Sequence, residues 1–233
     1  MVLLECCHSL RRCNGRRRTY RVLLMGLSGS GKTQLLYRWK WDKWLEVTPT
    51  LSFNVETVRV PLQTVFWWRR RRLCIWDTGG NDSESRPMWR HYMADVDAVV
   101  VVIDSADIAR LGEAEDECPL RMPATGEQAR SAAGLFLQLL VQEDLALVPV
   151  LICAHKQDVE SSLRASQVRE RLRLDEYRHL IRDRAFHLLG TSASTGEGTT
   201  EALAWLAAAI DKSKADAQSH AELHSRCASS YRT

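Results

Sequence analysis

The sequence lacks any apolar run long enough to cross a bilayer, which argues against an integral membrane protein. Its apolar start, residues 1–4, is too short for a secretory signal, and no small-residue cleavage site follows it. It also lacks a Cys-x-x-Cys pair, so we expect no structural zinc site. The seven cysteines are odd in number and irregularly spaced. This pattern is typical of reduced thiols, and we predict a cytoplasmic protein.

The 233 residues suffice for one well-buried α/β domain with tails. The net charge of +3 is small, but arginines cluster within residues 11–18 and 69–72. We predict a basic N-terminal extension over residues 1–19, a folded domain over 20–212 and a flexible C-terminal tail over 213–233. Residues 112–126 contain two prolines and several acidic side chains, and we predict an inserted surface loop there.

Apolar runs alternate with helical patterns along the folded domain, an order that predicts a six-stranded, mostly parallel sheet with helices on both faces. One run, Ala98–Ile103, is continuously apolar, as expected for a central strand that is buried on both faces. The predicted strands are Arg21–Met25, Phe53–Val60, Leu73–Trp76, Ala98–Ile103, Val148–Cys153 and Phe186–Leu189. The predicted helices are Gly31–Lys40, Arg86–Met93, Glu127–Gln142, Ala165–Arg173 and Thr199–Lys212.

The most informative motif is Gly26-Leu27-Ser28-Gly29-Ser30-Gly31-Lys32-Thr33, which matches the phosphate-binding loop pattern G-x-x-x-x-G-K-[ST] at every fixed position. Its glycines let backbone N–H groups turn inward around phosphates, and Lys32 is expected to reach the β- and γ-phosphates. The Thr33 hydroxyl is expected to ligate Mg²⁺. A predicted strand precedes the loop and a helix follows it, which favours this interpretation over a glycine turn that merely joins two elements.

Polar residues follow the predicted strands at the edge where a doubly wound sheet binds its ligands. Asp77 comes directly after Leu73–Trp76 and can hold Mg²⁺ through water. The N–H of Gly80 can approach the γ-phosphate. The Thr50 hydroxyl, between the first helix and the second strand, can complete the Mg²⁺ shell. The alternative for Asp77 is a capping carboxylate that only ends a strand.

A second set of strand-end residues points to recognition of a base. Asp158 can accept two hydrogen bonds from the N1 and N2 groups of guanine, which adenine does not supply. Lys156 can pack its aliphatic stem across the base plane. The backbone at Ser192 and Ala193 can meet the guanine O6. The alternative for Asp158 is a carboxylate that caps a helix or turn.

Taken in order, these motifs resemble the Arf/Arl (ADP-ribosylation factor-like) family of small GTPases over residues 20–212. The most specific stretches are PTLSFNVETV at 49–58 and WDTGG at 76–80, and residues 86–92 and 102–105 also match. The resemblance implies a P-loop NTPase fold, the Ras-like G domain, that binds GTP or GDP with Mg²⁺. It also implies two nucleotide-ordered switches, at Thr48–Phe53 and Gly79–Arg90.

Further family properties concern the partners. The resemblance implies effector proteins in membrane trafficking or signalling, an exchange factor and a GTPase-activating protein. Phe53, Trp76 and Tyr92 fall where the family places an aromatic cluster that effectors contact. Plain hydrophobic packing of these three rings is an equally open interpretation.

Two departures from the family concern the chemistry. Asn81 stands where the family usually has a glutamine that orients the attacking water, and its side chain is one methylene shorter. We therefore predict that GTP hydrolysis, with Gly80 and Asn81 as the catalytic positions, is slow in the isolated protein and is assisted by a partner protein. His155 stands where the guanine motif normally has asparagine, so we expect weaker nucleotide binding with guanine selection resting on Asp158. The main alternative is a nucleotide-binding scaffold with little or no hydrolysis, and an ATP-dependent kinase is a weaker one.

Two further departures concern the surface. Val2 replaces the glycine that N-myristoylation requires, but the basic extension and S-acylation of Cys6 or Cys7 could hold the chain peripherally on an intracellular membrane. A solvated tail is the alternative. The stretch FWWRRRR at 66–72 lengthens the segment between the switches and could touch lipid or a partner, or fold back onto the sheet. No nucleic-acid-binding module is recognised, so we expect no nucleic-acid partner, and we expect a monomer.

Overall fold

The computed structural model describes residues 19–50, 53–60, 71–79, 93, 95–111, 131–177, 181 and 184–230, the last eleven of these by their backbone. Within them, six strands form one sheet in the order β2-β3-β1-β4-β5-β6. The strands are β1 (Thr19–Met25), β2 (Phe53–Arg59), β3 (Arg72–Thr78), β4 (Ala98–Asp104), β5 (Val150–His155) and β6 (Phe186–Gly190). The α-helices are α1 (Lys32–Trp41), α2 (Ile108–Leu111), α3 (Ala132–Leu140), α4 (Ala165–Arg171) and α5 (Thr199–Ser230), and a 3₁₀ turn covers Glu143–Leu145.

The sheet is parallel except at one edge, which confirms the predicted fold class. β1 pairs in parallel with β3 and β4, and β4, β5 and β6 continue the parallel ladder. Only β2 is antiparallel, and it pairs with β3 from Phe53 opposite Thr78 to Arg59 opposite Arg72. The carboxyl ends of β1, β3, β4, β5 and β6 therefore lie at one edge of the sheet, where the predicted site residues gather.

The core has two layers, one on each face of the sheet. β4 shows this most clearly, because Val99, Val101 and Ile103 belong to one buried cluster while the alternate residues Ala98, Val100 and Val102 belong to the other. This alternation confirms the prediction that Ala98–Ile103 is a central strand buried on both faces. Helix α3 packs into the first cluster, and helices α1 and α5 pack into the second.

Most elements begin or end within a few residues of the predicted bounds, and three of the differences concern the site or the predicted tail. The strands β3 and β5 extend far enough to include Asp77 and His155, so both residues lie in strands rather than after them. Helix α5 continues to Ser230, whereas the sequence predicted its end at Lys212 and a flexible tail beyond it. Four alanines follow residue 212, together with Lys214, Gln218, Glu222 and Leu223, and neither proline nor glycine occurs there, so the high helix propensity of these residues lets the backbone hydrogen bonding continue.

Other predicted features lie outside the described residues. These are the basic extension up to residue 18, residues 61–70 of the lengthened segment between the switches, most of the helix predicted at Arg86–Met93 and the inserted loop at 112–126. Thr19, assigned to the extension, instead begins β1. Among the helices that the structure describes, none has both the length and the hydropathy needed to span a membrane.

Candidate nucleotide-binding site

The phosphate-loop motif connects β1 to α1, as predicted, and its glycines are required by close packing. At Gly26, where φ is +154°, a Cβ atom would lie 2.3 Å from the carbonyl oxygen of Val102 on β4. At Gly31, where φ is +91°, a Cβ atom would lie 2.5 Å from the Cδ2 atom of His155. Any side chain at these two positions would force the loop away from the sheet, so the loop sits flush against β4 and β5.

Lys32 folds back into this loop. Its side chain is buried, and Nζ donates hydrogen bonds to the carbonyl oxygens of Gly26 at 3.0 Å and Leu27 at 2.9 Å. A buried ammonium group is costly unless oxygen acceptors surround it. The loop thereby concentrates a positive charge beside its own inward-turning backbone, an arrangement suited to an anionic ligand.

Three residues that the sequence assigned to Mg²⁺ meet at the N-terminus of α1. The Thr33 hydroxyl donates to Asp77 Oδ2 at 2.6 Å, and the Thr33 and Thr50 hydroxyl oxygens are 2.8 Å apart. The Thr50 hydroxyl lies 3.5 Å from the same Asp77 oxygen. The residues come from a helix, a loop and a strand that are remote in sequence, so the fold alone brings these oxygen atoms together.

Asp77 is a buried carboxyl group whose charged form would be stabilised by a bound cation. Burial raises its pKa because it penalises the charged form, while the hydrogen bond from Thr33 and the charge of Lys32 act in the opposite direction. Its second oxygen, Oδ1, is buried and has no hydrogen-bond partner within the described part of the chain. Hard oxygen donors of this kind are what Mg²⁺ prefers, so the residues present fit that ion.

The residues predicted to meet a base also lie together. Ser192 donates to Asp158 at 2.6 Å, and the Ser192 and Ser194 hydroxyl oxygens are 2.9 Å apart. Burial alone would raise the pKa of Asp158, but the hydrogen bonds from Ser192 and Ser194 bring it below its ordinary value. Asp158 is therefore held ionised as a hydrogen-bond acceptor. Ala193, which lies between these two serines in the sequence, is also buried.

Lys156 adopts a left-handed backbone conformation with φ of +64°. Its Nζ donates to Asp104 Oδ2 at 2.6 Å, across from β5 to the end of β4. Sequence reasoning assigned no role to Asp104. It directly follows the continuously apolar run Ala98–Ile103, as Asp77 follows the apolar part of β3, and that position is the signal in the sequence.

His155 is the departure from the family that the structure describes in most detail. Its side chain is 1% exposed, and Nδ1 lies 2.9 Å from the Thr191 hydroxyl. Burial lowers its pKa to about 4, because the charged imidazolium would lose its hydration, and Lys156 acts in the same direction. The ring is therefore neutral near pH 7, and it lies directly beneath the phosphate loop at Gly31.

Part of the predicted aromatic cluster is also visible. The rings of Phe53 and Trp76 stack with centroids 5.9 Å apart, and the Arg21 guanidinium lies 4.4 Å from the Trp76 ring centroid. Trp76 is only 4% exposed, which favours the packing interpretation for this ring. Tyr92 lies outside the described residues, as do the candidate catalytic residues Gly80 and Asn81.

A glycine loop between strand and helix, with a buried lysine inside it and carboxylates at neighbouring strand ends, defines a P-loop nucleotide-binding protein. A profile of the ADP-ribosylation factor family matches residues 6–210 of the sequence. The chain belongs to this family of small GTPases.

Two similar proteins agree with that assignment. ADP-ribosylation factor-like protein 1 of Saccharomyces cerevisiae is 36% identical over 192 residues, which span 82% of this chain and 88% of the yeast protein. The structure of the Arl6 BBS3 small GTPase of Trypanosoma brucei, with the bound nucleotide analogue GppNp, superposes with a TM-score of 0.64 at 26% identity. That match covers 84% of this chain and 99% of the trypanosome chain. Together they support a GTP-binding switch built on the Ras-like G domain.

Proposed function

We propose that this chain is a GTP/GDP-binding switch that requires Mg²⁺ and hydrolyses GTP slowly without a partner. The observation that carries the proposal is the convergence of Thr33, Thr50 and Asp77, which offers two hydroxyls and one carboxylate at a single point. Thr33 and Thr50 would ligate Mg²⁺ directly and Asp77 would hold it through water. When bound, the ion would neutralise charge on the phosphates.

The remaining site residues divide between the phosphates and the base. The backbone N–H groups of Gly26–Thr33 and the Lys32 ammonium would hold the β- and γ-phosphates, and the Gly80 N–H would sense the γ-phosphate. Asp158, kept ionised by its serine donors, would accept the guanine N1 and N2 hydrogens. Lys156 would cover the base plane, and the backbone at Ser192 and Ala193 would face O6.

Asn81 governs the rate of turnover in this proposal. Its amide is one methylene shorter than the glutamine usual in the family, so it would hold the attacking water less well. Intrinsic hydrolysis in small GTPases is already slow, on the order of 10⁻⁴ s⁻¹. The chain would therefore remain in its GTP state until a GTPase-activating protein acts.

The direct test is a titration of the purified protein with GTP, GDP and ATP in the presence of Mg²⁺, followed by measurement of phosphate release. We expect tight guanine-nucleotide binding, with slow release from GTP. A preference for ATP would contradict the proposal. GTP binding without any release would instead support the second candidate, a nucleotide-binding scaffold.

One observation favours that second candidate. His155 fills the space beneath Gly31 and bonds to Thr191, so the position no longer offers the paired donor and acceptor of an amide. A site with weakened base recognition and a shortened water-positioning residue could serve mainly as a recruitment surface. Phosphate release at a rate matching that of glutamine-bearing relatives would exclude this candidate.

The partner assignments follow from the family. Its members work with effectors, exchange factors and GTPase-activating proteins. We propose that this chain does so as a monomer, without nucleic acid, from the cytoplasm. Its basic extension, with Cys6 and Cys7, would hold it at the surface of an intracellular membrane. Deleting residues 1–18 should release the protein from membranes in cell fractionation, and unchanged membrane binding would count against this anchor.

A further inference from the structure

Arg110, which the proposed site does not use, reaches the phosphate loop from outside. It lies on the short helix α2 that follows β4, and its Nη1 donates a hydrogen bond to the carbonyl oxygen of Ser28 at 3.0 Å. Nη2 faces the same turn, 3.8 Å from where a Cβ atom of Gly29 would lie. Arg110 thus donates to a different carbonyl of the loop from Lys32, which donates to Gly26 and Leu27.

Asp107 holds the Arg110 side chain in this orientation. Its carboxylate accepts from Arg110 Nε at 2.6 Å and from the Arg110 backbone N–H at 3.1 Å. The hydrogen bond from Arg110 is the main cause that lowers the pKa of Asp107, so this carboxylate is ionised at neutral pH. Leu111, the next residue, is buried and fixes α2 against the core. The guanidinium lies beside a shallow cleft between α2 and the loop, which Ser28 and Asp107 also line.

The contacted peptide group has a defined direction. Ser28 and Gly29 share one trans peptide bond, since the described chain contains no cis peptides. In a trans peptide the N–H and C=O groups point to opposite sides. With the Ser28 carbonyl turned toward Arg110, the Gly29 N–H points away from Arg110. A charged donor on a carbonyl also polarises the peptide, which strengthens its N–H as a donor.

We propose that Arg110 is a positioning residue of the phosphate loop: through the Ser28 carbonyl it orients and polarises the Gly29 N–H toward a bound phosphate. This inference rests on the proposed nucleotide binding. Because Arg110 acts through the peptide, it affects how long the phosphates are held rather than which base is chosen. The weaker interpretation is an ordinary surface ion pair with Asp107, which would contribute little.

The experiment measures dissociation of fluorescent N-methylanthraniloyl-GDP from the full chain by stopped flow, with wild type compared with Arg110→Ala and Arg110→Lys. A hydrogen bond to a charged group, acting here through one peptide, corresponds to about a three- to tenfold faster dissociation on truncation. Lysine keeps the charge but not the fork that reaches Asp107 and Ser28 together, so it should fall between wild type and alanine.

The matched control is Arg169→Ala, which removes a comparably exposed arginine, 45% against 48%, from an ion pair with Asp175 remote from the loop. It should leave dissociation unchanged. Low concentrations of guanidinium chloride, compared with equal sodium chloride, should restore slow dissociation to Arg110→Ala and not affect the control.

Two results would overturn the proposal. One is a dissociation rate for Arg110→Ala within twofold of wild type. The other is faster dissociation that guanidinium does not reverse and that accompanies a lower unfolding temperature without nucleotide, because that pattern indicates a structural role. If Arg110→Ala does not fold, the same comparison is made with Arg110→Lys. If wild type does not bind the fluorescent GDP at all, the proposed function itself fails, which is a separate outcome.

Discussion

The imidazole of His155 occupies the space that a side chain at Gly31 would need, with Cδ2 2.5 Å from the position of a Cβ atom there. The glycine of the phosphate loop and the histidine of the base motif are therefore in mutual contact. We therefore expect a substitution at either residue to displace the other. The Thr191 hydroxyl fixes the ring from its other side.

This contact predicts how stability depends on pH. The folded-state pKa of His155 is about 4 and its ordinary value is 6.5, so the unfolded chain binds the extra proton first. The contribution of neutral His155 to the free energy of unfolding is fully present above pH 6.5. It falls by as much as about 3 kcal/mol as the pH drops toward 4. Asp104, Asp158 and Lys156 are the charged groups that face the same ring. Urea unfolding at a series of pH values measures the slope.

The control for that slope is His155→Asn. Asparagine does not titrate, so this variant should lose most of the pH dependence between 6.5 and 4 while keeping that caused by carboxylates at lower pH. It also restores the amide usual in the family, and we expect slower nucleotide dissociation. An unchanged slope would show that His155 is not the titrating group, and unchanged dissociation would show that the histidine does not weaken binding.

Asp77→Asn should separate stability from cation binding. Burial already penalises the charge of Asp77, so the neutral isostere should unfold at a similar urea concentration. Nucleotide held through Mg²⁺ should dissociate at least about tenfold faster, as for loss of a residue that supports a metal through water. Chelation by EDTA should accelerate dissociation from wild type but hardly from the variant. If EDTA accelerated dissociation equally from wild type and from the variant, Asp77 would not be part of the proposed cation site. The control is Asp175→Asn, which changes a carboxylate on the exposed surface.

Asn81→Gln should increase intrinsic GTP hydrolysis, since the longer amide can reach the attacking water. The measurement is single-turnover phosphate release from preloaded GTP, with Asn81→Ala as the partner variant. We expect glutamine to be the fastest of the three and alanine to be no faster than wild type. Identical rates for all three proteins would mean that position 81 does not position the water.

Asp211→Ala should destabilise the fold without changing the residues of the candidate nucleotide-binding site. Its carboxylate accepts from Tyr20 at 2.8 Å and from Arg71 Nε at 3.0 Å, which ties α5 to the sheet. Arg71 is only 5% exposed, so truncation leaves a buried guanidinium without its counter-charge. A loss of about 3 kcal/mol in unfolding free energy is expected. A much smaller loss in urea titrations would indicate that water replaces the carboxylate.

Several features could be predicted because they depend on residues close together in the chain. The apolar run at Ala98–Ile103 indicates a doubly buried strand, and the spacing of Gly26, Gly31 and Lys32 indicates a phosphate loop. The sequence predicts the start of helix α5 but not its end, because the serine- and histidine-containing composition after Lys212 is typical of a tail, whereas the alanines there sustain the helix.

The sequence by itself determined the order of the strands, the loop motif and the identity of the strand-end residues, since each is a pattern of residues close together in the chain. Only the tertiary structure decided which of these residues touch. Thr33, Thr50 and Asp77 meet, His155 lies under Gly31, and Arg110 reaches Ser28 because the parallel strands align their carboxyl ends at one edge. Burial at that edge also sets the pKa values of Asp77 and His155, which depend on surroundings that no local pattern specifies.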